Sequence, residues 1–151
     1  MKLEFLCEYE AELRPEPTVV GKGPLGTRQV FDVTGGTCEG PRIRGRLLPS
    51  GGDWLLADER GVIRLDVRAT IATDDGALVY FQYFGILRSL TPDQPPGVIR
   101  PTAYGDQYFM TTPRFETGDT RYAWLNELVC VAEGRLTEKG VAYRVCAVVN
   151  D

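Results

Sequence analysis

Residues 63–83 read Ile-Arg-Leu-Asp-Val-Arg-Ala-Thr-Ile-Ala-Thr-Asp-Asp-Gly-Ala-Leu-Val-Tyr-Phe-Gln-Tyr. Ile63, Leu65, Val67, Ala69 and Ile71 alternate with Arg64, Asp66, Arg68 and Thr70. A period of two, apolar on one side and polar on the other, is the pattern of a strand with one face against a core. Thr73-Asp74-Asp75-Gly76 follows with hairpin chemistry, because Asp-Gly supplies the positive φ a tight turn requires. Ala77 to Arg88, rich in Val, Tyr and Phe, reads as the returning strand.

The pattern repeats in both directions. At the start, Leu3, Phe5, Cys7, Tyr9 and Ala11 share one face, Lys2, Glu4, Glu8, Glu10 and Glu12 the other, and Leu6 is out of phase. Pro15 and Pro17 end that strand. Gly21 to Gly26 is a turn-rich loop, Thr27 to Val33 a short strand, and Thr34-Gly35-Gly36 a turn. Arg42 to Leu48 alternates again, Pro49-Ser50-Gly51-Gly52 turns, and Asp53 to Asp58 is a short strand. Residues 90–107 hold Pro92, Pro95, Pro96 and Pro101 and form the one long irregular segment, a lid, a binding loop or a disordered excursion. Tyr108 to Thr112, Arg121 to Glu133 and Val141 to Val149 are read as further strands. No stretch of a dozen residues has helical periodicity. The expectation is an all-β chain, one domain over residues 1–151, folded as a single antiparallel β-barrel with little or no helix. A barrel is preferred to a two-sheet sandwich because polar groups on one strand face suit a polar lumen or mouth.

Composition limits the chemistry. The 151 residues are 43% hydrophobic and 25% charged, as expected of a soluble globular chain able to bury a core without staples. Net charge is −4, which argues against nucleic acid as a partner. No apolar run approaches a membrane span, and the acidic start does not resemble a secretory signal. With no histidine, the common nucleophile–base arrangements and His-ligated metal sites are excluded. Cys7, Cys38, Cys130 and Cys146 have no C-x-x-C spacing and read as free thiols in a reducing cytoplasm. No phosphate-cradling glycine motif is present. No metal and no cofactor are expected, so acids and bases must come from Asp, Glu, Tyr, Arg or Cys.

Several blocks resemble a known family. They are Thr34-Gly35-Gly36-Thr37-Cys38-Glu39-Gly40-Pro41, Pro49-Ser50-Gly51-Gly52-Asp53-Trp54, and Leu65-Asp66-Val67-Arg68 with Thr73-Asp74-Asp75-Gly76-Ala77-Leu78-Val79-Tyr80. A late block runs from Tyr108 to Gly118, followed by Arg121-Tyr122-Ala123-Trp124-Leu125-Asn126. In this order they resemble the family called domain of unknown function 3237. The resemblance implies a small antiparallel barrel, broadly lipocalin-like or allene-oxide-cyclase-like. Two departures stand out: Met110 where a basic residue is expected, and the aromatic run Phe81-Gln82-Tyr83-Phe84. If these face the lumen, the pocket is unusually apolar and suits an aromatic or polyketide-like ligand.

Asp66 and Arg68 share a strand face, where the cation keeps the carboxylate ionised and can fork onto a substrate oxyanion. The bland alternative is a solvated surface pair. Tyr80, with Gln82 beside it, is a candidate oxyanion donor, and Glu116 a candidate acid or base at the barrel mouth. Asp53, Trp54, Tyr122, Trp124 and Asn126 are the candidate substrate-binding groups. The leading expectation is a cofactor-independent enzyme of small-molecule metabolism. It would be an acid/base isomerase, cyclase or lyase, with Asp66 or Glu116 moving the proton and Arg68 and Tyr80 holding charge. The alternative is a non-catalytic small-molecule carrier. A third reading, a plugged structural barrel, predicts no cavity of roughly 300 Å3 or more. A homodimer through an edge strand or residues 90–107 is a further expectation.

Overall fold

The strands run β1 (Lys2–Leu13), β2 (Thr18–Gly23), β3 (Gly26–Glu39), β4 (Arg44–Leu47), β5 (Gly52–Ala57), β6 (Val62–Thr73), β7 (Leu78–Arg88), β8 (Phe109–Thr111), β9 (Arg114–Glu116), β10 (Cys130–Leu136) and β11 (Gly140–Val149). A computed structural model describes residues 1–95 and 98–151. All pairings are antiparallel. Eight strands close a ring: β1–β3, β3–β5, β5–β6, β6–β7, β7–β8, β8–β10, β10–β11 and β11–β1. β4 bridges β3 and β6 beyond the end of β5, and β9 extends the β7 edge beyond β8. The chain is a β-barrel, and closure leaves the ring strands without a free edge.

The 63–83 hairpin has the expected register. Ile63 pairs with Leu87 and Ala72 with Leu78, and the Thr73 N–H donates to the Ala77 carbonyl across the turn. Gly76 takes φ +92° there, a conformation other residues adopt at a cost. Leu65, Val67, Ala69 and Ile71 are buried in the lumen, as their alternation requires.

In four places the chain departs from the pattern read in the sequence. β1 carries a bulge between Phe5 and Cys7, which shifts the phase by one residue. Cys7, Tyr9 and Ala11 point inward, while Leu3 and Phe5 are exposed. Thr34-Gly35-Gly36 is not a turn. The strand runs through it with a register shift opposite Glu12 and Leu13, so β3 is far longer than Thr27–Val33. The loop at Gly21–Gly26 is the tip of a β2–β3 hairpin. Arg121–Glu133 is not one strand: Thr120–Glu127 is a 3-10 helix, and only Cys130 onward is sheet. Asp119 caps that helix by accepting from the Arg121 N–H.

The middle of the lumen is filled by rings. Tyr9 lies 5.0 Å from Phe81 and 5.1 Å from Tyr143 between centroids, and Tyr143 lies 5.1 Å from Tyr83 and 5.2 Å from Phe109. Each fully buried ring of this size is worth about 1.5–3 kcal/mol of burial, so the aromatic layer is a main anchor of the barrel. One end is closed by the 3-10 helix against the β6–β7 hairpin. There the Tyr122 hydroxyl donates to both Asp75 carboxylate oxygens at 2.9 Å. Cys7, Cys38 and Cys130 are buried free thiols. Cys7 is held well above the usual thiol range by its hydrogen bond with Cys38 and by burial, and Cys130 is pushed up to about 11 by burial. Such thiols are poor nucleophiles.

Candidate functional site

At the other end of the barrel a cavity of about 180 Å3 opens above the aromatic layer. Phe31, Leu55, Leu65, Leu87 and Phe109 form its apolar wall. Pro92, Gln94 and Arg100, from the irregular segment, stand at its mouth. The volume is below the roughly 300 Å3 at which ligand pockets usually begin, as the plugged-barrel reading predicts, but above that of an apolar cavity of about 150 Å3 that takes benzene.

Two carboxyl groups line it, Asp58 and the more deeply buried Asp53. Asp53 is in phase with Leu55 and Ala57, so the alternation of β5 turns all three inward. Gly51, at φ +96°, makes the turn that sets this phase; a Cβ there would collide with the Arg68 carbonyl. The β5–β6 ladder pairs Gly52 with Arg68, Asp53 with Val67, Leu56 with Arg64 and Ala57 with Ile63. Between these pairs the Asp66 N–H donates to the Asp53 carboxylate at 3.2 Å. Asp53 is only 7% exposed. Burial pushes its carboxyl up to about 7, and the charge of nearby Asp66 adds to the rise; the bond from the Asp66 N–H opposes it.

Tyr83 and Tyr143 lie beside Asp53 in the field of its charge, and burial holds both phenols above their ordinary range. They therefore stay protonated, and neither lines the cavity. Tyr9 is also raised by burial. Its hydroxyl lies near that of Tyr83 but makes no hydrogen bond of normal geometry. Gln94, with its amide oriented to suit its neighbour, accepts from the Arg100 guanidinium at 3.0 and 3.2 Å. Among the described residues, no group of three or more Cys, Asp or Glu is placed to hold a metal.

The other candidates lie elsewhere, which corrects the scheme built on them. Asp66, Arg68 and Tyr80 alternate with buried Leu65, Val67, Val79 and Phe81, so they face outward. Asp66 and Arg68 form a half-exposed ion pair at 3.4 Å, the surface pair of the bland reading. The Tyr80 hydroxyl donates to Gln82 at 2.9 Å on the same outer face. Glu116 is exposed on β9, opposite Tyr80. Trp54 also points out, with the Arg68 guanidinium 5.6 Å from its ring. Tyr122, Trp124 and Asn126 sit in the 3-10 helix at the far end. Trp124 carries Arg42 at 3.6 Å, and Asn126 is spent on both backbone groups of Thr117. Of the aromatic run, Phe81 and Tyr83 face the lumen as expected, whereas Phe84, like Met110, is exposed and adds apolar surface outside.

Of the nominated residues, only Asp53 lines the cavity. Its signal was its phase with Leu55. Tyr9 and Tyr143 were not singled out because ring packing and hydroxyl chemistry look alike in a strand. Arg100 carried no signal, since nothing local in sequence says what a loop covers.

Nearly the whole chain aligns with one family. The model described as "Protein of unknown function (DUF3237)" matches residues 1–148. The chain belongs to the DUF3237 family. A curated relative from Rhodopseudomonas palustris, named as a UPF0311 protein, is 36% identical over 123 residues, covering 76% of this chain and 75% of the relative. A crystal structure of a β-barrel-like protein from Acinetobacter baumannii superposes with TM-score 0.83 at 31% identity, covering 97% of this chain and 94% of that one. The structure of an enzyme from Penicillium herquei superposes with TM-score 0.71 at 19% identity, covering 97% and 94%. At that identity the likeness is one of fold. Among the described residues no helix is long and apolar enough to cross a membrane.

Proposed function

We propose that this DUF3237 barrel is a cofactor-independent acid/base catalyst acting on a small organic substrate, with Asp53 as the group that moves the proton. The observation that carries this reading is the buried carboxyl of Asp53 in the wall of a mostly apolar cavity. A carboxyl that titrates near neutrality has both forms present at pH 7, which suits it to take a proton and return it. Arg100, steadied by Gln94, would hold a polar or anionic end at the mouth. The reaction class is proton transfer within one molecule: isomerisation, cyclisation or a lyase step. The fold likeness to an enzyme of Penicillium herquei supports this reading only in showing that the scaffold hosts catalysis elsewhere.

The cavity size restricts the substrate. About 180 Å3 accommodates one aromatic ring or its equivalent. A larger substrate requires residues 89–95 to shift. The second reading, a non-catalytic binding barrel, is favoured by the apolar lining and makes the same prediction about ligand size.

The two are separated by deuterium exchange. Single-ring phenolic ketones and enolisable acids are incubated in D2O with the wild type and with Asp53→Asn, and carbon-bound deuterium is followed by NMR. A catalyst is expected to exchange at least one of them about 100-fold or more faster than Asp53→Asn does. Ligand binding without any exchange by the wild type leaves the carrier. Equal exchange by both proteins removes Asp53 from the mechanism.

A further inference from the structure

We infer that the protein is a homodimer joined through the outer face of β1, β11, β10, β8 and β7, a surface independent of the lumen. The registers place apolar outward residues side by side across these strands. Leu3 pairs with Val148 and Phe5 with Cys146. Cys146 in turn pairs with Val131, and the Val148 N–H donates to the Val129 carbonyl. Met110 pairs with Ile86, and Thr112 bonds the Phe84 carbonyl. Phe84, Ile86, Tyr108, Met110 and Val131 line one continuous shallow groove.

These side chains are open to solvent. Val129 is 69% exposed, Leu3 60%, Phe84 55%, Tyr108 54% and Phe5 53%. With rings and branched chains of this size, the patch exposes on the order of 800 Å2, close to what each partner contributes to a stable interface. A monomer seldom leaves an apolar patch of that extent in water. Two sequence features that the lumen does not explain are absorbed here. The β1 bulge is what turns Leu3 and Phe5 outward, and Met110 and Phe84 are the exposed apolar residues singled out in the sequence.

The occupant that fits is a second copy. The border of the patch holds both signs of charge: the Glu133–Arg144 pair, the Asp66–Arg68 pair, Arg64 and Arg88. A border of mixed sign complements itself under two-fold rotation, as an isologous contact requires. An anionic membrane is disfavoured by the net charge of −4. No edge strand is involved, because the ring strands are paired on both sides.

The test is sedimentation of the full chain between about 1 and 100 μM, a range that brackets ordinary dimer affinities. Wild type is expected at twice the chain mass. Phe84→Glu and Met110→Glu change exposed side chains, and each is expected to sediment as a monomer with unchanged circular dichroism and thermal midpoint up to the loss of dimer linkage. Val20→Glu, exposed on β2 away from the patch, is expected to remain a dimer. A wild-type monomer at every concentration overturns the inference. So does a dimer that survives both Phe84→Glu and Met110→Glu, or one that Val20→Glu dissociates.

Discussion

Asp53 and Tyr9 show how single buried polar atoms set measurable behaviour. In the unfolded chain the Asp53 carboxyl titrates near its ordinary value of 3.8, and in the barrel near 7. Between those values the folded state holds a proton that the unfolded state has released. Asp53 therefore makes stability fall as pH rises from about 4 to 7, by up to about 4 kcal/mol. Asp53→Asn is expected to abolish that component, so that urea midpoints of variant and wild type diverge between about pH 4 and 7 with the variant the more stable at pH 8. If Asp53 acts as base in the proposed reaction, the rate rises with pH through about 7, and the pH profile of the exchange reaction checks it. Among the described residues the buried Tyr9 hydroxyl has no hydrogen-bond partner, a state that costs about 1–3 kcal/mol. Tyr9→Phe keeps the ring contacts and removes that cost. It is expected to leave stability unchanged or raise it by about 1 kcal/mol, measured by chemical denaturation.

At the scale of elements, two backbone features place the site and the surface. Gly51 lets the β4–β5 turn pass close to the Arg68 carbonyl and delivers Asp53 to the inner face. Gly51→Ala forces a side chain into positive φ against backbone and is expected to cost at least about 1–3 kcal/mol, read as a lower urea midpoint. The β1 bulge does the opposite work on the surface by exchanging inside for outside at Leu3 and Phe5. Neither feature is visible as periodicity. A bulge is a one-residue phase slip, and Leu6, the residue out of phase in the sequence, was its trace. The 3-10 helix has a similar origin. Tyr122, Trp124 and Asn126 alternate as a strand would, but Asp119 caps the backbone ahead of them, and the Asn126 and Tyr122 side chains bond the turns at Thr117 and Asp75. Local hydrogen bonding overrode a pattern that propensity alone assigns to sheet.

For the whole molecule, closure brings the chain ends together. β1 and β11 pair along most of their length, and the Met1 amino group meets the Asp151 carboxylate. A circular permutant that joins residues 151 and 1 through a short linker and opens at the exposed turn Glu59-Arg60 is therefore expected to fold, with wild-type circular dichroism and a cooperative thermal transition. A permutant that opens within β11 breaks the ring and is expected not to fold.

Alternation, Gly/Pro punctuation and the Asp-Gly hairpin were enough by themselves to determine an antiparallel all-β chain. The same alternation at Asp53, Leu55 and Ala57 held the clue to the buried carboxyl in the lumen. Which end of the barrel stays hollow, which face of β6 meets solvent and what residues 89–95 and 98–100 cover were decided only by the tertiary structure. The reason is physical. A strand pattern says that two faces differ, but only closure of the sheet says which face is inside. Asp66 and Arg68 are read as polar on either account, and they became surface residues when Leu65 and Val67 claimed the core.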